Sequence, residues 1–288
     1  MTLRTLGLTL LGTAGLLALP ACQKEEAPAA PTPVAATPPP AAPTPAPEAK
    51  QHAATPIQEP GAQGAAPAVP AIPAGKGVVR GTVTFTGTAP VAADIPASND
   101  PACEGMSMKD ASVLVKDGKL ANVLVRVRGN VPGAPSAPTA PVLVDQSKCT
   151  YVPRVQGAMV GQPVAFKNSD GTLHNVRGLV GTKSAFNVAQ PPSGAQVQKT
   201  LPADAEVLKL KCDVHPWMTA FVVTNPNPYF ATTGADGTFS LQGLPAGTYT
   251  VEAWHESLGT KTAEVTVKDD APAEASFAFS ATDAAAKK

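Results

Sequence analysis

The chain lacks most of what marks a catalyst or a nucleic-acid binder. Its 288 residues include only eight Phe, three Tyr, two Trp, four His and four Cys. Lys plus Arg equals Asp plus Glu at 22 each, so the formal net charge is zero. A neutral chain has no basic field to hold phosphates, which excludes nucleic acid as a partner. No apolar run reaches the roughly 20 residues of an internal membrane span. Helical periodicity is absent over any useful length, which excludes a helical bundle or coiled coil. No carboxylate pair or Ser/His/Asp arrangement stands out, and neither a Cys-x-x-Cys pair nor a haem-type Cys-x-x-Cys-His occurs. The chain reads as a binding or carrier protein, not an enzyme.

What is abundant is proline: 32 residues, 14 of them between Pro28 and Pro73. Residues 23–75 are rich in Ala, Pro and Thr and have few large apolar groups. Such a segment buries too little surface to offset the entropy of ordering, so it reads as a disordered linker. At about 3.1 Å per residue its extended limit is on the order of 150 Å, the reach of a tether. His52 lies here and reads as a solvated residue. Residues 1–22 read as an export signal: Arg4, the apolar stretch Leu6 to Leu19, then Leu19-Pro20-Ala21-Cys22. This resembles the bacterial lipoprotein signal, which implies acylation of Cys22 and a membrane anchor in the periplasm or at the cell surface. Gln23 in place of Asp implies the outer membrane in such lipoproteins. An ordinary secretory signal cut near Ala21 is the alternative, and it too puts the protein outside the cytoplasm.

Roughly 205 residues remain for one large β domain or two small ones. Val78 to Thr86 alternates Val79, Gly81, Val83 and Phe85 on one face, as a strand does. Ser112–Lys116 and Leu120–Arg128 flank Asp117-Gly118, a hairpin signal. In the second of these the valines point one way and Arg126 and Arg128 the other. After the Pro-rich insert Pro132–Pro141, strands are expected at 142–144, 154–160, 163–168, 173–179, 196–201, 206–212 and 220–224. A last group is expected at 239–241, 248–255, 262–267 and 275–279. Short strands with turns every 8 to 12 residues mean an all-β sandwich or barrel.

The chemistry gathers in one loop, Cys212-Asp213-Val214-His215-Pro216-Trp217-Met218. In the preceding strand Leu208, Leu210 and Cys212 share a face, which aims the thiol at the core. A soft thiolate, an imidazole and a thioether at steps of three suit copper, and His174 is available as a further imidazole. Two His, one Cys and a weak axial Met make a blue-copper set. The alternatives are half a zinc site, or a buried cysteine beside a surface histidine. For zinc no second ligand pair exists: His52 is in the linker and His255 stands alone.

Two family resemblances follow from these residues. Gly161-Gln162-Pro163-Val164-Ala165-Phe166-Lys167-Asn168, then His174-Asn175-Val176, resemble the first-histidine region of the cupredoxins. The Cys-x-x-His-x-x-Met spacing, with Pro216 after the histidine and Trp217 before the methionine, resembles amicyanin. The resemblance covers about Val142 to Thr224. It implies a Greek-key β-sandwich, one type 1 copper ion on His174, Cys212, His215 and Met218, and electron transfer with a redox protein partner. With all four positions filled, no open site remains for a substrate. Asn175 is expected to hydrogen-bond the ligand loop. Pro216 and Trp217 are expected to form an apolar docking rim around a partly exposed His215, with core filling as the other role for Trp217. The second resemblance lies in Thr233-Gly234-Ala235-Asp236-Gly237-Thr238-Phe239 and Leu244-Pro245-Ala246-Gly247-Thr248-Tyr249. These are similar to the second half of a carboxypeptidase regulatory-like domain, a transthyretin-like β-sandwich.

The expected organisation is therefore a first part of that sandwich at 76–131, a cupredoxin-like copper domain at 141–225, and the second part at 229–280. A tandem pair, or one enlarged cupredoxin, are the other arrangements. His255 shares a face with Tyr249, Val251 and Ala253 and reads as a satisfied, semi-buried histidine. With Cys22 assigned to lipid and Cys212 to the metal-like motif, Cys103 and Cys149 remain, and an oxidising compartment favours a disulfide between them. Two independent buried thiols are the competing reading. The leading function is a lipid-anchored copper protein that carries electrons. The alternative is a non-redox, copper-holding or ligand-binding β-sandwich lipoprotein.

Overall fold

The computed structural model describes residues 75–285 except Ala97, Gly105 and Ser107. The expected signal segment with Cys22, and the linker through residue 74 with His52, lie outside the described residues. The first strands are β1 (Gly77–Thr86), β2 (Val115–Lys116), β3 (Lys119–Leu120) and β4 (Leu124–Val127). Nine strands follow: β5 (Val142–Ser147), β6 (Thr150–Val152), β7 (Val155–Met159), β8 (Pro163–Asn168), β9 (His174–Val180), β10 (Lys183–Gln190), β11 (Val197–Thr200), β12 (Val207–Lys211) and β13 (Thr219–Asn225). The last are β14 (Phe230–Thr232), β15 (Thr238–Leu244), β16 (Gly247–His255), β17 (Gly259–Val267), β18 (Ala273–Glu274) and β19 (Phe277–Ser280). One helical turn, α1 (Ala281–Ala285), closes the described chain. The protein is all-β.

Four sheets form two sandwiches. One sheet has the order β15-β1-β3-β2 with β18 and β19 also on β1, and it faces the sheet β14-β4-β16-β17. Val79, Val83, Phe85, Phe239 and Phe277 from the first meet Val125, Val127, Val251, Ala253 and Val265 from the second in one core. The other sandwich joins β10-β9-β12-β13-β7 to β11-β8-β5-β6. Its core sets Val176, Leu208, Leu210, Ala220 and Val222 against Val144, Tyr151, Val164 and Phe166. All the strands of this second, inner sandwich, β5 to β13, lie in sequence between β4 and β14, which pair antiparallel in the outer one.

The two sandwiches meet along a seam whose basis is the two-residue period of a strand. In β13, Ala220 and Val222 face the inner core, while Phe221 and Val223 face outward onto Leu124, Val155 and Trp254. In β4, Val125 and Val127 face the outer core, and Leu124 and Arg126 turn to the seam. Arg126 is 2 % exposed, so the face opposite the valines is buried rather than solvated. Its guanidinium donates to Glu252 Oε1 at 2.8 Å and to the Thr224 carbonyl at 3.0 Å, and it pairs with Glu206. Arg154 donates to both oxygens of Glu256, at 2.5 and 2.9 Å, and adds a second polar stitch.

The expected single strand Leu120–Arg128 is two strands in two sheets. Asn122 has φ 59°, in the left-handed region that side-chain amides tolerate, and there the chain leaves β3 for β4. The Asp117-Gly118 hairpin is present, with φ 51° and 70°. Strands β6, β10, β14 and β18 have no counterpart among the expected ones. Most of β10 is exposed at a sheet edge, so its apolar alternation is reduced to Phe186 and Val188.

Candidate metal centre

The loop between β12 and β13 is closed by its own backbone. The Cys212 N–H donates to the Met218 carbonyl at 3.3 Å, and the Met218 N–H donates to the His215 carbonyl at 2.9 Å. This puts His215 at the tip and returns Met218 to the side of Cys212. His174 opens β9, which pairs directly with β12, so the two sequence-distant motifs share one end of one sheet. One ligand atom each of His174, Cys212 and His215 lies within 4.8 Å of the others, and all three residues are buried. Met218 is 1 % exposed and packs in the same cluster as Cys212.

The two imidazoles are oriented from outside. Asp170 Oδ2 is 2.9 Å from His174 Nε2, and Asp100 Oδ2 is 3.1 Å from His215 Nε2. The carboxylate oxygen is the acceptor in each contact, so each ring carries its proton on Nε2. Their Nδ1 atoms then face each other at 2.8 Å. Two bare lone pairs repel at that distance, so a proton joins the nitrogens unless a metal ion takes both of them. Two imidazole nitrogens and a thiol sulfur, converging in a dry pocket with the outer nitrogens already taken, fit a copper or zinc ion.

Asn175 hydrogen-bonds the loop. Its Oδ1 accepts from the Asp213 N–H at 2.6 Å and from Cys212 Sγ at 3.3 Å. Its Nδ2 donates to Asp213 Oδ2 at 2.9 Å. The His215 N–H donates to Cys212 Sγ at 3.4 Å. Tyr151 donates its hydroxyl to the Asn175 carbonyl at 2.5 Å, and burial pushes that phenol up, with Cys212 and Asp213 adding to the effect. Burial draws His174 below its ordinary value, and the Asp170 hydrogen bond opposes this. Asp100 is held below the usual carboxylate range, first by the Thr172 hydroxyl at 2.6 Å and then by the Ala102 N–H at 2.9 Å.

Two expected exposures fail here. His215 is 2 % exposed, not partly exposed, because the Asp100–Cys103 turn lies on its outer edge. Trp217 is half-buried: its indole N–H donates to the Cys149 carbonyl at 2.9 Å and its ring stands 5.1 Å from that of His215. Pro216 is exposed. Cys103 and Cys149 form a disulfide, with Cα atoms 5.9 Å apart. His255 is fully buried rather than semi-buried, and its Nδ1 accepts from the Ser257 and Leu258 N–H groups at 3.2 Å. Sequence reading missed Asp100, Asp170 and Thr172. A carboxylate four residues before His174 was the available signal for Asp170; nothing in the sequence joins Asp100 to His215.

Residues 219–280 match the profile of the carboxypeptidase regulatory-like domain. That match begins ten residues before the expected boundary at 229 and takes in β13. Among solved structures, a purple cupredoxin from Nitrosopumilus maritimus is similar at 22 % identity over 29 % of this chain and 99 % of that one, with TM-score 0.26. A reduced amicyanin variant is similar at 21 % identity over 35 % of this chain and 98 % of that one, with TM-score 0.27. A copper-containing nitrite reductase from Thermus scotoductus is similar at 16 % identity over 50 % of this chain and 28 % of that one, with TM-score 0.26. No curated protein matches the chain.

Proposed function

We propose that the protein is a type 1 copper protein that carries electrons between redox partners outside the cytoplasm, anchored to a membrane through lipid on Cys22. His174, Cys212 and His215 would hold the ion, with the Met218 thioether as a weaker donor. The observation that supports this most is the convergence of three buried ligand atoms within 4.8 Å at one end of the β9–β12 pair. A bound copper ion supplies a one-electron couple. The chain's part is to hold two imidazoles and a thiolate in fixed directions and keep water out, so that the geometry changes little between oxidation states. With four protein ligands no position is left for substrate, so the role is carriage and not catalysis.

The partner is proposed to dock on apolar surface at the loop. Leu173 and Val214, which immediately precede the two histidines, are 47 % and 49 % exposed, and Pro216, which follows His215, is exposed as well. Zero net charge favours such contact over electrostatic steering. The test is the visible spectrum of the full chain after copper loading. An intense blue colour, one copper per chain, and loss of the colour in Cys212→Ser with the β fold intact are expected. A colourless, copper-free wild type would overturn the reading.

A second reading, copper holding without electron exchange, is favoured by the burial of His215. The rate at which a small inorganic oxidant reoxidises the reduced protein separates the two: exchange within the time of a stopped-flow experiment supports carriage, and a rate slower by orders of magnitude supports holding.

A further inference from the structure

The two carboxylates on the histidines belong to one connected structure. Asp100 opens the turn that carries Cys103: its Oδ1 accepts the Ala102 N–H at 2.9 Å, and its carbonyl accepts the Cys103 N–H at 2.9 Å. Its Oδ2 is held by Thr172, two residues before His174, and takes His215 Nε2. On the other side Asp170 grips the turn that carries Cys149. Asp170 Oδ1 accepts the Lys148 N–H at 2.6 Å and Oδ2 accepts the Cys149 N–H at 2.9 Å. Both of those residues have φ 54°, an uncommon left-handed pair that these two hydrogen bonds stabilise. The same Oδ2 takes His174 Nε2. The disulfide joins the two turns, and Cys103 Sγ lies 3.7 Å from His215 Nε2.

We propose that Asp100 is a positioning residue for His215, and that the Cys103–Cys149 disulfide locks it there as a clasp over the metal centre. The proposal rests on the reading of His174, Cys212 and His215 as metal ligands. Without Asp100 the His215 ring is free to take either tautomer and to turn on its side-chain bonds, and one of the two tautomers presents a proton where the ligand lone pair belongs. With Asp100 in place the proton is on Nε2 and Nδ1 faces the centre before any metal arrives. Because the turn covers the outer edge of the ring, metal leaves, and Cys212 is reached, only when the turn lifts. The disulfide restrains that lifting from a segment, 98–104, that is otherwise outside both sandwiches.

The test compares Asp100→Asn, Asp100→Ala and the pair Cys103→Ser with Cys149→Ser, each in the full chain carrying Cys22→Ser so that Cys212 is the free thiol common to all. The first readout uses metal-free protein: the rate at which Cys212 reacts with an aromatic disulfide reagent. It should rise about tenfold or more in Asp100→Ala and in the serine pair, and stay within about twofold in Asp100→Asn, whose amide oxygen still accepts from Nε2. The second is copper(I) transfer to bathocuproine disulfonate, with the same ranking. The third separates charge from shape. Asp100→Asn keeps the hydrogen bond and removes an anion, so the oxidised state should lose stability relative to the reduced one by about tenfold, about 59 mV for one electron. Equal rates and potentials in all four proteins, with a blue wild type, would overturn the clasp while leaving the ligand set standing. A wild type that takes up no copper would overturn the ligand set, and the thiol rates would still decide whether the turn guards the pocket.

Discussion

At the seam between the sandwiches the Arg126 guanidinium donates to Glu252 Oε1 of the neighbouring strand at 2.8 Å, with side-chain exposures of only 3 % and 10 %. A charge pair this dry contributes little by existing, yet breaking it leaves an uncompensated buried charge. Arg126→Met should therefore destabilise by about 3–5 kcal/mol. Adding Glu252→Gln should recover part of that loss. Urea unfolding of the three proteins measures it, and a cost under about 1 kcal/mol for the single change would show that water reaches the seam.

Glu206 faces the same arginines from the rim. Its carboxyl is held below its ordinary value of 4.5, first by the Arg128 hydrogen bond and then by Arg126. The folded protein therefore gives up this proton more readily than the unfolded chain. The contribution to stability is whole above pH 4.5 and disappears as pH falls through the lower folded value. Glu206→Gln should flatten the pH dependence of the melting temperature below 4.5 and leave its slope at neutral pH unchanged. An unaltered acid limb would assign that limb to other carboxylates.

Gly81 sits where β1 turns from β18 toward β19, and a Cβ there would lie 1.6 Å from the Ala275 carbonyl oxygen. Gly81→Ala should lower stability by at least about 2 kcal/mol, since backbone must move to admit it. Gly171 is the control, because a Cβ there would meet nothing within 4 Å and its φ is not left-handed. Gly171→Ala should shift the melting temperature little. Similar losses in both would mean that contact at Ala275 is not what counts.

Metal that binds only the folded chain adds to its stability by mass action. Free copper at about a thousand times its dissociation constant should add about 4 kcal/mol. His174→Ala should fold, since it removes one imidazole from the end of a sheet, and should gain far less from copper. Calorimetric scans with and without the ion provide the comparison. An equal gain in the variant would place the copper elsewhere.

Much of this arrangement was legible because alternation is a local property. Val79, Val83 and Phe85, or Leu208, Leu210 and Cys212, announce both a strand and the face it buries. The loop of candidate metal ligands was legible for the same reason: Cys212, His215 and Met218 fall within seven positions. What escaped depends on contacts between distant segments. Arg126 looks like a solvent-facing residue until another sandwich covers its face. Asp100 lies 115 residues from His215, and only the fold shows that the histidine expected at the surface lies beneath a turn. The cysteine count did point to the Cys103–Cys149 bond, though not to its place against the imidazole.

The inner sandwich is spliced between β4 and β14, which are neighbours in one sheet, and this gives it no loose end among the described residues. Strands ordinarily fray from a terminus, and a sheet peels from the strand that frays first. Here β13 leads back into the outer sandwich through residues 226–229 and β5 through residues 128–141, and β13 is gripped on both faces. The turn between β12 and β13, which carries Cys212, His215 and Met218, therefore has no nearby end from which to unravel. It should exchange its backbone amides only when both sandwiches open together, so that losing the outer one would undo the pocket without altering Cys212, His215 or Met218.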